Sequence, residues 1–152
     1  ITSFANNLID ENLVAVGGFS DGFRGYQISD PDGTYTMVSE EIDLRRRVNN
    51  SISIDYFLDD RNHFDDPPSA GDWEPDDSFV IYIMDVTNAV DIPLVNLTGG
   101  IGGIDSMGIE YNWQSAVAML PDDIIIRIVI EFTANSGREV VYLDNVEVRG
   151  TD

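Results

Sequence analysis

The chain has 152 residues, 43% of them apolar, and a formal net charge of −20 from 28 acids and eight bases. This length and apolar share fit one domain with a real core and exclude a disordered chain in spite of the charge. A field of this sign makes nucleic acid and anionic membranes poor partners, no run reaches the length of a membrane span, and the absence of Cys removes disulfides and thiolate metal sites.

All eight bases are Arg, and twenty of the 28 acids are Asp. Lys depletion with an Asp excess suits a cation-rich medium or an extracellular calcium-binding surface. The chain opens on Ile1, which reads as a processed chain or an excised domain. Residues 1–16 are apolar around a polar centre (Asn6, Asn7, Asp10, Glu11, Asn12) and predict a strand near residues 13–16; the whole segment 1–16 could serve as an edge strand or be exchanged with a neighbour. Gly17, Gly18, Gly22 and Gly25 interleave with Phe19, Phe23 and Tyr26 as a loop. Ser29, Asp30, Pro31, Asp32 and Gly33 form a turn signal, since Asp and Pro initiate turns and Gly takes positive φ. Strands are predicted at residues 35–39 and 41–44. Arg45, Arg46 and Arg47 are either a patch for an anion or a solvated bend that offsets local acidity. Residues 51–58 alternate cleanly, with Ile52, Ile54, Tyr56 and Leu58 facing in and Ser51, Ser53 and Asp55 facing out.

Residues 59–77 break the rhythm with eight acids, three Pro and Trp73, and a loop this long in a compact domain is commonly functional or mobile. Residues 79–86 read as a central strand, apolar on both faces. Residues 94–97 are a further strand, and 99–103 a flexible Gly-rich connection that lacks the Lys and Ser/Thr of a phosphate loop. In residues 107–119, Ile109, Tyr111 and Trp113 alternate like a strand, whereas 115–119 could take a helical turn. Residues 124–132 and 139–149 form a terminal strand pair. In the first, Ile124, Ile126, Ile128, Ile130 and Phe132 share a face. In the second, Val140, Tyr142, Val146 and Val148 share a face with Asp144 in phase, a costly place for a carboxylate unless it is paired, hydrogen-bonded or metal-bound. No stretch shows sustained, capped helical periodicity. The expectation is all-β: one two-sheet antiparallel β-sandwich over residues 1–152.

From Ser39-Glu-Glu-Ile-Asp-Leu44 through Ser51-Ile-Ser-Ile-Asp-Tyr56, the acidic loop, Asp77-Ser-Phe-Val-Ile-Tyr82, Trp113 with Leu120-Pro121, and Val141-Tyr-Leu-Asp-Asn-Val-Glu-Val148, the order of features resembles jelly-roll modules of extracellular proteins. These are the galactose-binding-like carbohydrate-binding modules and the MAM-type adhesion domains. The resemblance covers roughly residues 35–150. It implies a non-catalytic module that binds a glycan or polysaccharide, with a structural Ca²⁺ held by Asp144 together with Asp10 or Glu11 and the turn at Asp32. MAM domains usually carry cysteines, and this chain has none.

Candidate sites emerge from the residues themselves. Asp144 either ligates calcium or accepts backbone N–H groups at a strand irregularity. The paired acids of the long loop, with Asp72, Asp76 and Asp77 at its end, either hold a divalent cation, which relieves their repulsion, or form a solvated surface; their spacing is not that of an EF-hand. Trp73, then Trp113 and Tyr111, are candidates for stacking on sugar rings, with core packing as the alternative. One His and no nucleophile motif give catalysis little support. A competing expectation is a structural subunit of a surface layer, sheath or filament that self-associates when its N-terminal strand joins a neighbour's sheet edge.

Overall fold

The computed structural model describes residues 26–29, 33–60, 73–135 and 139–152, with Ser29 and Asp60 described by backbone alone. The expected strand at 13–16, Asp10, Glu11, Asp32, Asp72 and most of the acidic loop lie outside the described residues. Nine strands are present among the described residues: β1 Tyr26–Ser29, β2 Gly33–Val38, β3 Ile42–Asp43, β4 Val48–Asp60, β5 Ser78–Asp85, β6 Val90–Thr98, β7 Gln114–Met119, β8 Ile125–Ala134 and β9 Glu139–Thr151. A single helical turn, α1 Ile104–Met107, precedes β7.

The strands form two antiparallel sheets, ordered β1-β9-β4-β7 and β2-β8-β5-β6, with β3 added alongside β8. Setting β3 aside, consecutive strands alternate between sheets until β5 and β6 pair as a hairpin. This is the strand order of a jelly roll. The core lies between the sheets. Ile52, Ile54, Tyr56 and Leu58 of β4 meet Phe79, Ile81 and Ile83 of β5 and Ile126, Ile128, Ile130 and Phe132 of β8. The period-two alternation of each strand puts those residues on one face. As expected, β5 is central, paired with β6 on one side and β8 on the other, but its apolar residues do not mean cover on both faces: Phe79, Ile81 and Ile83 are buried, whereas Val80, Tyr82 and Met84 are half-buried.

Three local readings of the sequence are corrected. Residues 115–119 are not helical: β7 pairs with β4 from Ser51↔Met119 to Tyr56↔Gln114, and its small Ala116 and Ala118 pack against the core. The glycine run is a packed link rather than a flexible one. Gly99 and Gly100 are buried, the Gly100 N–H donates to the Trp73 carbonyl at 2.5 Å, and a Cβ at Gly99 would run into the Glu74 carbonyl oxygen. Only glycine allows that approach.

The third correction concerns β9. Its pairing with β4 shifts between Ser53↔Glu147 and Asp55↔Asp144, and Asn145 within the shift has φ 48°. The extra residue is a β-bulge, and a bulge reverses the facing of the residues beyond it. Val146 and Val148 therefore pack on the core, as do Val141 and Leu143 before the bulge, while Val140 and Tyr142 join a separate cluster with Phe57 on the opposite side of the sheet. Asp144, in phase with Tyr142 on the near side of the bulge, sits on that outer side and does not share a face with Val146 and Val148.

Candidate functional site: the outer face of the β1-β9-β4-β7 sheet

Because β4 turns Tyr56 and Leu58 inward, Asp55, Phe57 and Asp59 point outward. Opposite them on β9 stand Asp144, Tyr142 and Val140. On β1, Gln27 is the partner of Tyr142; on β7, Ser115 is the partner of Asp55. Across the sheet, one row runs Gln27, Tyr142, Phe57 and the next Asp144, Asp55, Ser115.

The first row is aromatic and is extended by Trp113. The Phe57 ring lies 5.5 Å from Trp113 at 57° and 5.9 Å from Tyr142 at 79°. These tilted and edge-on contacts are the arrangement that ring quadrupoles favour. Tyr111 packs against the same cluster. Its backbone N–H donates to the Leu58 carbonyl at 2.9 Å, and Glu110 forms a bridge with Leu58. The segment before β7 is thereby tied to the end of β4, which carries Trp113 over Phe57. Phe57 and Tyr142 are buried, whereas Trp113 and Tyr111 are half-buried.

The second row is polar and internally bonded. The Ser115 hydroxyl donates to Asp55 Oδ1, the Asn145 side-chain amide donates to Asp55 Oδ2 at 3.3 Å, and the Asn145 backbone N–H donates to Asp144 Oδ1 at 2.7 Å. The bulge places Asn145 between the two acids. Of the two readings of Asp144, acceptance of a backbone N–H at a strand irregularity is present in the structure. Its expected calcium partners, Asp10, Glu11 and Asp32, lie outside the described residues.

Trp73 is not on this face, and a sugar-stacking role for it is overturned. It is fully buried and packs on Phe132 at 5.8 Å. The glycine link holds its backbone in place and so directs its indole between the sheets.

The described end of the acidic loop forms a second group. Residues 74–77 make a turn closed by the Asp77 N–H on the Glu74 carbonyl at 2.9 Å, with Asp77 Oδ2 accepting the Glu74 N–H at 2.7 Å. Across from this turn stands Glu139, the first residue of β9. Oxygens of Glu74, Asp77 and Glu139 all lie within 4.8 Å of one another. Asp77 and Glu139 are buried and Glu74 is exposed. Asp77 Oδ1 is buried and has no hydrogen-bond partner among the described residues. Burial pushes the Asp77 carboxyl up to about 6; the Glu74 N–H opposes this, and the charges of Glu139, Glu74 and Asp76 add to it. Asp76 stands apart from the group, exposed, and accepts from the Asn135 amide at 3.3 Å.

The arginine cluster takes the solvated-bend reading. Arg45 pairs with Asp43 at 2.7 Å, Arg47 lies 3.8 Å from Asp152, and the Arg46 N–H donates to Asp123. The Arg45 guanidinium, by hydrogen bond and by charge, lowers Asp43 to about 2.

Phe57, Tyr142, Gln27, Asn145, Glu74 and Glu139 are not singled out by the sequence. Phe57 carries a usable signal, since an aromatic in phase with Ser53 and Asp55 needs something to pack against. Glu139 carries none, because its neighbours come from turns remote in sequence.

No protein-family model and no curated protein sequence matches this chain. Solved structures do match it in fold. A family 61 carbohydrate-binding module in complex with β-1,4-galactotriose aligns with a TM-score of 0.59 at 8% identity, over 99% of this chain and 87% of that one. A carbohydrate-binding module specific for non-crystalline cellulose aligns at 0.48 with 16% identity, over 95% and 79%. The family 30 module of a cellulosomal cellulase of Clostridium thermocellum aligns at 0.45 with 10% identity, over 99% and 91%. The first of these likenesses establishes the β-sandwich.

Proposed function

We propose that this chain is a non-catalytic extracellular carbohydrate-binding module that receives a polysaccharide on the outer face of the β1-β9-β4-β7 sheet. The observation that carries the reading is the aromatic row of Tyr142, Phe57 and Trp113 laid beside the polar row of Asp144, Asp55, Asn145 and Ser115. A pyranose ring has a C–H-rich face suited to an aromatic and a rim of hydroxyls that donate to carboxylates and accept from amides. Trp113 is the residue through which stacking would occur, and Asp55 and Asp144 are the acceptors, already oriented by Ser115 and Asn145. Preorganised polar groups lose little entropy when a ligand arrives. Asp55 and Asp144 are cross-strand neighbours, and each accepts a hydrogen bond from a neutral donor. The shared fold with a galactotriose-binding module makes β-1,4-galactan the first ligand to try.

Native affinity electrophoresis through gels containing β-1,4-galactan, hydroxyethylcellulose or xylan tests this. At least one polysaccharide is expected to retard the wild type, and Trp113→Ala is expected to migrate as in a plain gel while keeping its thermal transition. Equal retardation of wild type and variant would rule out the outer face as the binding surface.

A further inference from the structure

We infer that Glu74, Asp77 and Glu139 form a calcium site at the end of the sandwich where the turn before β5 meets the start of β9. Three acids drawn together do not by themselves make a site, since solvated acidic surfaces are common. Two features here are independent of the clustering. Asp77 is 1% exposed, and its Oδ1 has no donor among the described residues, although its other oxygen is fixed by the Glu74 N–H. A buried carboxylate oxygen left without a donor is costly, and a cation supplies the missing partner. The second feature is the backbone that holds the group. The turn of residues 74–77 is pinned by its own hydrogen bond, by the Gly99 N–H on the Asp77 carbonyl at 2.9 Å, and by the Gly100 N–H on Trp73. The two acids of the turn are thus held by the main chain opposite Glu139, and the turn cannot swing away to relieve their repulsion.

The donor set favours calcium. Ligands at about 2.3–2.6 Å from calcium lie up to about 5 Å apart, and the three side chains offer oxygens within 4.8 Å of one another. Magnesium, with bonds of about 2.1 Å, demands near-octahedral order. Calcium tolerates an irregular set, and the exposed Glu74 side leaves room for water to complete it. The site is separate from the outer aromatic face, and it is also not the Asp144 set that the sequence resemblance implied.

Isothermal titration of the chelator-stripped chain with CaCl₂, in about 0.15 M NaCl to screen surface acids, tests it without any carbohydrate. One saturable site is expected, with Kd in the range of about 10⁻⁴–10⁻³ M typical of extracellular modules. Glu139→Gln and Asp77→Asn should each weaken it at least about tenfold, while Asp144→Asn should leave it unchanged. Glu74→Gln, at an exposed position, keeps the test informative should a buried variant fail to fold. Absence of saturable binding, or binding unaltered by Glu74→Gln and Glu139→Gln, would overturn the site; equal affinity for MgCl₂ would overturn its assignment to calcium.

Discussion

Trp73 and Trp113 are the two tryptophans of the chain, and their environments divide their roles. Trp73 is enclosed against Phe132, so Trp73→Ala removes a large buried ring and should destabilise the fold by about 3–5 kcal/mol in urea denaturation. Trp113 is half-buried against Phe57, and its loss should cost stability far less than it costs binding. Asp77 carries a sign that can be checked. Its carboxyl is raised from 3.8 to about 6 in the folded chain, so the native state binds the proton more tightly than the unfolded one. The stability this confers is complete below about pH 4 and is lost as pH rises through about 6. In chelator, the difference in unfolding free energy between wild type and Asp77→Asn should therefore shift in the variant's favour across that window. The shift should be about 1–2 kcal/mol, less than the full two-unit shift would give, because solvent at the exposed Glu74 side screens the charges. A pH-independent difference would mean that Asp77 keeps an ordinary carboxylate pKa.

At the scale of elements, the bulge in β9 decides which side chains reach the outer face. Without it, Asp144 would share a face with Val146 and Val148; with it, they occupy opposite sides. Asn tolerates the left-handed conformation that β-branched residues resist. Asn145→Gly should fold normally, and Asn145→Val should lower stability by about 1–3 kcal/mol and disturb the Asp55 and Asp144 carboxylates. Thermal unfolding of the two variants compares them directly. This is also where the sequence is least legible. Alternation identifies β4 and β8 and their inward residues, because a strand with one face in the core repeats strictly at two; β5 is legible as a strand, but its apolar residues on both faces hide which one turns inward. The same period, carried through residue 145, misses the one added residue that reverses it, and so gives Asp144 the face of the wrong valines. The Gly-rich run likewise looks loose in sequence, because close backbone contacts leave no mark in composition. Trp113 stands out in the sequence, but Phe57 and Tyr142 beneath it do not, since their grouping depends on β4 lying beside β9.

Over the whole molecule, the charge of −20 acts apart from either site. Exposed acids repel one another, and salt relieves that repulsion over about 8–10 Å. Added NaCl should raise the melting temperature of the chelator-stripped chain progressively and without saturation, whereas calcium should add a saturable rise on top of it. The jelly roll brings the two regions to separate places: the turn before β5 meets the start of β9, and the faces of β4, β7 and β9 that turn from the core present the aromatic row. The most direct test of the central claim, that this outer face receives a polysaccharide, is an ¹H–¹⁵N NMR titration with β-1,4-galactotriose and, in parallel, cello- and xylo-oligosaccharides. Saturable shifts are predicted for at least one ligand, grouped on Phe57, Trp113, Ser115, Tyr142 and Asn145 and including the Trp113 indole N–H but not that of Trp73. Shifts confined to the β2-β8-β5-β6 sheet, or none with any ligand, would contradict the claim.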